Sequence, residues 1–348
     1  MRPREIIKYL GGLGLAGLLL WWVLRGTEPG LLWDRMRQAS LAGILLSAAL
    51  NIGHNVFRVL RWRALLTPLR PGIPFRPMFS AVILGYMTSW IVPGRLGELV
   101  RPLLLSGETG LPVGPLIGSV VADRLLDVAA VVTLFTLGSW LTPLEGQAAE
   151  YVATIRVASL LMVAGVVGGL AAMLAVSRAR GGFVEGLRRR RGAVGRFART
   201  VLSITEGVGA LRSPRLTLIV AAHSLLAWLT ISLGTWIGIR AVGAEISPGA
   251  MLVILPMLVL GVAVPTPGGV GSYHGLMKFG LLLFGVTELT ATSAAVLVHV
   301  SITVPVILLG TVLLWTEGIS WRRLVTAARR LGAVGGNPSS GKTMESVP

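Results

Sequence analysis

Residues 250–286 read AMLVILPMLVLGVAVPTPGGVGSYHGLMKFGLLLFGV, an apolar arm, a break from Pro265 to Gly271 and a second apolar arm. The first arm, 250–264, has 15 residues, about 22 Å of helix, which is short of the ~30 Å of hydrocarbon in a bilayer. Proline and glycine stop it before it crosses. Such a segment reads as a helical hairpin that dips into the bilayer and returns. Its irregular backbone survives at that depth only where protein or a water-filled cavity covers it.

A second stretch repeats the pattern. Residues 78–92 form an apolar arm that breaks at Pro93-Gly94 and returns through 96–105. A shift of 174 positions carries Pro93-Gly94 onto Pro267-Gly268. Around these hairpins lie six apolar runs long enough to span, at about 6–24, 41–60, 113–140, 152–176, 216–239 and 290–316. The same shift carries 41–60 and 113–140 close to two other predicted spans. Three crossings per half place the second half upside down relative to the first. The reading is an all-α polytopic membrane protein of about six full spans plus two re-entrant helical hairpins, 78–105 and 250–286, arranged as an inverted repeat. Paired, interrupted apolar segments in two inverted halves point to a transporter's midplane site.

Composition agrees. Of 348 residues 53% are hydrophobic and 14% charged, with a mean hydropathy of +0.75, which excludes a soluble enzyme, a disordered chain and a coiled coil. The net charge of +17 is not a nucleic-acid signature, because the basic residues cluster between apolar runs. Twenty-four of the 32 Lys and Arg fall on one side of the expected topology, which makes that side, with both termini, cytoplasmic. No nucleic-acid partner is expected. The basic loops are expected to meet anionic lipid headgroups.

The halves divide as 1–177, with span 152–177 opening the second half, then a basic connector 178–214 containing Arg188 to Arg191, then 215–316. Residues 317–348 form a basic amphipathic segment and tail. The connector and 317–331 read as helices lying on anionic lipid. Residues 336–343, GNPSSGKT, match a phosphate-binding loop by letter, but no strand precedes them and no helix follows, so the match is rejected. With no cysteine there is no thiol chemistry, and neither metal nor cofactor is expected.

The chemistry sits at the breaks. Pro93-Gly94-Arg95-Leu96-Gly97-Glu98-Leu99-Val100-Arg101 puts three charges at membrane depth. A charge at a helix centre costs ~2.5–3.5 kcal/mol, so these groups pair or face a wet cavity. Glu98 and Arg101, at i and i+3, can pair. Arg95 has no local partner and suits a lipid phosphate, since guanidinium offers a fork of donors. In 113–140, Asp123 and Asp127 share one helix face, with Arg124 in reach of Asp127. They fit either proton coupling or an ion-pair network with Arg95 or Arg101. Asn51, His54, Asn55 and Arg58 form a polar stripe that either lines the cavity or packs between helices. In the second hairpin, Gly268 and Gly269 free backbone amides for an anion, while Tyr273 and His274 begin the return arm.

Taken in order, Arg58-Val-Leu-Arg61-Trp62-Arg63, the Pro93 to Arg101 segment, Asp123-Arg124-Leu-Leu-Asp127 and Pro267-Gly-Gly-Val-Gly271 resemble the flippase-like transmembrane family of lysylphosphatidylglycerol synthase (multiple peptide resistance factor), over roughly residues 5–320. The resemblance implies lipid translocation across the bacterial inner membrane, or an accessory role to a lipid-modifying enzyme. Where relatives carry glutamates, this chain has Asp123 and His274. The first change keeps the charge and the second loses an acid. Some 30 residues follow the last span, so no soluble aminoacyl-transferase domain, and no synthase activity, is expected. The substrate that the resemblance implies is a phospholipid or other lipid-linked molecule. The alternatives are a membrane-embedded transferase using Asp123 or Asp127 as base, and a non-catalytic partner of a separate enzyme.

Overall fold

A computed structural model describes residues 3–92, 96–143, 150–178, 213–264, 266–322 and 324–326. Among them the protein is helical, without strands. The order is α1 Pro3–Leu24, α2 Pro29–Arg37, α3 Leu41–Leu66, α4 Phe75–Ile91, α5 Gly97–Thr109, α6 Val113–Leu141, α7 Val152–Arg178, α8 Pro214–Ala241, α9 Pro248–Ala263, α10 Ser272–Leu283 and α11 Glu288–Thr316. Most of the basic connector, Arg95 and the 336–343 motif lie outside the described residues.

Local chemistry sets the helix ends. Ser40 and Ser247 accept from the amides of Gly43 (3.2 Å) and Ala250 (3.1 Å), capping α3 and α9. Pro214 and Pro248 sit in the first turns of α8 and α9, where their missing N–H goes unfelt. Both breaks read in the sequence are present. Val92 and Val264, each preceding a proline, are extended at φ −105°, ψ 123° and φ −60°, ψ 134°. Beyond the second break a 3₁₀ turn, Pro267–Gly269, leads into α10, with Gly268 and Gly271 at φ +62° and +83°. A side chain at Gly271 would be strained and would also meet Leu19 Cβ at 2.6 Å, because α1 packs directly on this turn.

Six spans were expected. Four helices, Leu41–Leu66, Val152–Gly169, Pro214–Ala241 and Glu288–Thr316, are long and apolar enough to cross a bilayer, and Leu10–Leu24 with α2 makes a fifth if counted as one span bent by 84°. The remaining predicted span, α6, has 29 residues but carries Asp123, Arg124 and Asp127 in its first half. The outer surface is studded with exposed Leu and Trp, including Leu41, Leu141, Leu218 and Trp315. Their extent marks a lipid-facing surface and identifies a membrane protein.

Two apolar clusters form the core. One joins α3, α4, α5 and α6 around Val59, Trp62, Met78 and Leu116; the larger joins α6 and α8 to α11 around Met251, Ile254, Met277 and Val298. Antiparallel α3 and α8 hold the two together. Gly43 meets Ala241, Ser47 meets Gly238, and Leu50 meets Gly234, each at a distance only glycine allows. Close approach through small residues is how helices associate in lipid, where apolar burial drives nothing. Lys278 ties α10 to α1 and α11, donating to Val23 O (2.8 Å) and Glu288 (2.6 Å). Past α11, Leu324 and Val325 are buried in a cluster with Val92 and Val100.

The α4–α5 pair is tightest at Gly85 and Gly97, where a Cβ on Gly97 would run into the Gly85 carbonyl and Ser89 Oγ. Gly97→Ala is therefore expected to destabilise the protein by about 1–3 kcal/mol. Gly53→Ala, in α3 with open space around it, gains helix propensity and is expected to raise stability by up to ~1 kcal/mol. Unfolding midpoints of the two variants in nanodiscs check both signs.

Candidate functional site

The residues singled out in α3, α5 and α6 converge on one ionic layer. Asp123, fully buried, accepts from Arg61 Nε at 2.8 Å, Arg101 Nη1 at 3.2 Å and Arg124 Nη2 at 3.2 Å. Asp127, one turn later, pairs with Arg58 Nη1 at 3.1 Å, Arg61 Nη2 at 2.9 Å and Arg124 Nη1 at 3.0 Å. It also accepts from Trp228 Nε1 at 2.8 Å. The spacing explains this: i and i+4 on α6 face i and i+3 on α3, so two rungs of carboxylate meet two rungs of guanidinium.

Aromatic side chains enclose the layer. Tyr86 on α4 accepts from Arg58 (2.5 Å) and Arg124 (3.1 Å). The guanidinium of Arg58 lies 5.2 Å from the Trp228 ring centre, and that of Arg101 lies 4.7 Å from Trp62, in the range of cation–π attraction. The expected Glu98–Arg101 pair is loose at 4.0 Å, and Glu98 lies nearer Arg124, at 3.6 Å. Arg101 turns to Asp123 instead.

Charge within the layer does not cancel. Among the described residues four guanidiniums, Arg58, Arg61, Arg101 and Arg124, meet three carboxylates, leaving one positive charge over. Arg58 Nε and Arg101 Nε and Nη2 are buried without a hydrogen-bond partner among the described residues. Leaving a charged donor unpaired away from water is costly. The layer opens at one edge, where the side chains of Arg124 and Glu98 are 33% and 27% exposed against 8% or less for the other five.

The stripe Asn51, His54 and Asn55 points into the α3 interfaces. Asn51 donates to Ser47 O (2.8 Å), His54 Nδ1 lies 2.6 Å from Asn51 O, and Asn55 donates to Ile52 O (3.1 Å). All three are buried. Arg58 alone of this group joins the ionic layer.

The second hairpin makes a separate cluster. Ser272 Oγ donates to Gly261 O at 2.7 Å and lies 3.0 Å from Thr266 Oγ1, fastening the break. His274 Nδ1 accepts from Gly271 N at 3.2 Å. It is not a solitary histidine, since its ring lies 4.6 Å from that of His299, whose Nε2 donates to Gly268 O at 2.9 Å. Tyr273 stacks at 5.0 Å on His299, with its hydroxyl buried and unpartnered. A Cβ on Gly268 would lie 3.1 Å from the carbonyl of Trp90. α4 thus connects the clusters, with Tyr86 at one and Trp90, a turn later, at the other.

Arg61, Tyr86, Trp228, Trp90 and His299 were not among the site residues read from the sequence. Arg61 had a signal, its i+3 spacing from Arg58. Trp228 and His299 come from helices distant in sequence, and Tyr86 and Trp90, in the first arm of the first hairpin, carry no charge or spacing that marks them.

Compared with known families, residues 9–310 match the model described as the lysylphosphatidylglycerol synthase TM region, a range that includes both clusters. No curated protein matches the chain.

Removing one carboxylate from the layer strands its cations. Asp123→Asn is expected to cost about 3–5 kcal/mol, whereas Glu98→Gln, at the open edge, is expected to cost about 1 kcal/mol. Thermal unfolding in nanodiscs ranks them.

Proposed function

Because the chain belongs to the family of the lysylphosphatidylglycerol synthase transmembrane region, we propose that it moves a phospholipid or related lipid between leaflets of the bacterial inner membrane, the headgroup passing the ionic layer while the acyl chains stay in the bilayer. The observation that carries this reading is the surplus of buried cation: one guanidinium charge more than carboxylate, with unpartnered nitrogens on Arg101 and Arg58. A phosphate would take those donors and balance the layer. Arg101 would hold the phosphate, joined by Arg95, which lies outside the described residues. Glu98, Asp123 and Asp127 would keep the cations apart or meet a cationic headgroup, with Arg124 at the entrance. Gly268, Gly269, Tyr273 and His274 would form the opposing wall.

In this reading 78–105 and 250–286 are re-entrant hairpins inserted from opposite sides, and the halves form an inverted repeat with both termini cytoplasmic. Three features support it: the matched breaks, the antiparallel packing of α3 on α8, and the approach of Trp90 to Gly268. A transferase with Asp127 as base is disfavoured, because four donors already occupy that carboxylate.

Purified protein in liposomes is expected to speed transbilayer movement of a fluorescent phosphatidylglycerol. Arg101→Gln is expected to slow it by roughly tenfold, the worth of one charge-assisted hydrogen bond. Wild-type protein that accelerates no labelled lipid would remove the proposal.

The cysteine-free sequence makes orientation testable with single substitutions. Glu28→Cys and Glu245→Cys are expected to react with an impermeant maleimide applied outside spheroplasts, and Glu108→Cys only after lysis. Reversal of that pattern would invert the topology.

A further inference from the structure

An apolar groove of about 400 Å³ runs between α6 and α7. Leu125, Val128 and Val132 line it from α6, and Met162, Gly165 and Gly169 from α7. These positions fall at i, i+3 and i+7 on each helix, so each set is one continuous face. The α6 side extends for about 10 Å along the helix axis. α7 barely shields the groove, since 6% of its spanning window is buried. Gly165 and Gly169 leave open space where side chains would project. Val166 lines the α7 side as well, and the two glycines widen the groove around it.

Leu125, at the groove's N-terminal end on α6, adjoins in sequence the exposed edge of the ionic layer. Arg124, the most exposed member of the layer, precedes Leu125 in sequence and lies one turn from Val128 on the same face of α6. Its nitrogens already face Glu98, Asp123 and Asp127, so what this edge offers a ligand is the layer's uncompensated positive charge and not a free donor. A cationic group at the mouth of a narrow apolar channel matches one ligand shape, an anionic headgroup joined to a hydrocarbon chain.

We propose that the α6–α7 groove holds an acyl chain of the lipid whose phosphate sits at the Arg124 edge. This rests on the lipid-translocation reading and adds to it the path of the chain and the face from which the lipid enters. Entry is lateral, beside α7, and the chain lies along Val128 and Val132 while the headgroup reaches inward past Arg124 to Arg101. The fit to one chain, and not to a helix of a second copy, follows from the charge at one end and the narrowness set by Val132, which is buried at the groove floor.

The test uses the full chain in vesicles with a phosphatidylglycerol bearing a diazirine on its acyl chain. After illumination, adducts are expected on peptides containing Val128 to Val132 and Met162. A double variant, Gly165→Leu with Gly169→Leu, fills the groove while improving helix propensity, and is expected to cut that labelling by roughly tenfold or more, since hydrophobic pockets discriminate single methylenes at that level. Gly168→Leu, equally open but not lining the groove, is the control and is expected to leave labelling intact.

Labelling that the double variant leaves unchanged would overturn the inference, as would an adduct pattern spread evenly over lipid-facing Leu218 and Leu308. If the double variant instead abolishes a cross-linked dimer without altering lipid adducts, the groove belongs to a second copy and the inference also fails. Transbilayer movement measured in the same vesicles separates the two claims. Movement undiminished by the double variant sinks the groove and spares the function, whereas groove labelling without wild-type movement sinks the function and spares the groove.

Discussion

Two aspartates, one turn apart on α6, gather four arginines from three helices, and the packing around them follows from that demand. Neither a carboxylate nor a guanidinium is stable alone in a hydrocarbon slab, so α3, α5 and α6 must keep the geometry that pairs Arg58, Arg61, Arg101 and Arg124 with Asp123 and Asp127. Tyr86, Trp62 and Trp228 complete it by presenting ring faces and polar handles to the same groups. Buried ion pairs contribute little net stability compared with a well-packed apolar core. They constrain the packing instead, because a helix shift that broke one pair would strand a buried charge at a cost of about 3–5 kcal/mol.

That arrangement is deliberately incomplete on the cationic side. A layer built only for stability would match donors and acceptors, yet Arg101 keeps two buried nitrogens without partners. The imbalance sits close to the break between α4 and α5, and the edge at Arg124 opens toward the groove beside α7. A polar centre, a lateral apolar groove and a second glycine turn touching the end of α4 are the features on which the proposed lipid path rests. The α3–α8 and α4–α5 contacts are closed by small residues.

Much of this was legible in residues read one segment at a time. The extended Val92 and Val264 follow from the prolines after them, and the i, i+4 aspartates were evident as one helix face. The polar stripe on α3 was equally visible, but its two readings, cavity lining and interhelical packing, have the same periodicity. Only the observed bonds of Asn51 and Asn55 to their own helix describe what it does. The pairing of Glu98 with Arg101 was a sound local inference overtaken by a nonlocal one, because Asp123 offers Arg101 a closer and more buried partner.

By itself the sequence determined that this chain lives in a membrane, where its helices stop, and that charge is concentrated at the stops. Those properties depend on hydropathy, on the missing proline N–H and on the cost of ions in oil, all of which act locally. The tertiary structure decided which charges meet. It brought Arg61 to both aspartates, set His299 beside His274 and left one guanidinium in excess. These partners, separated by 25 to 66 positions, are chosen by how helices cross, and no local pattern records that choice.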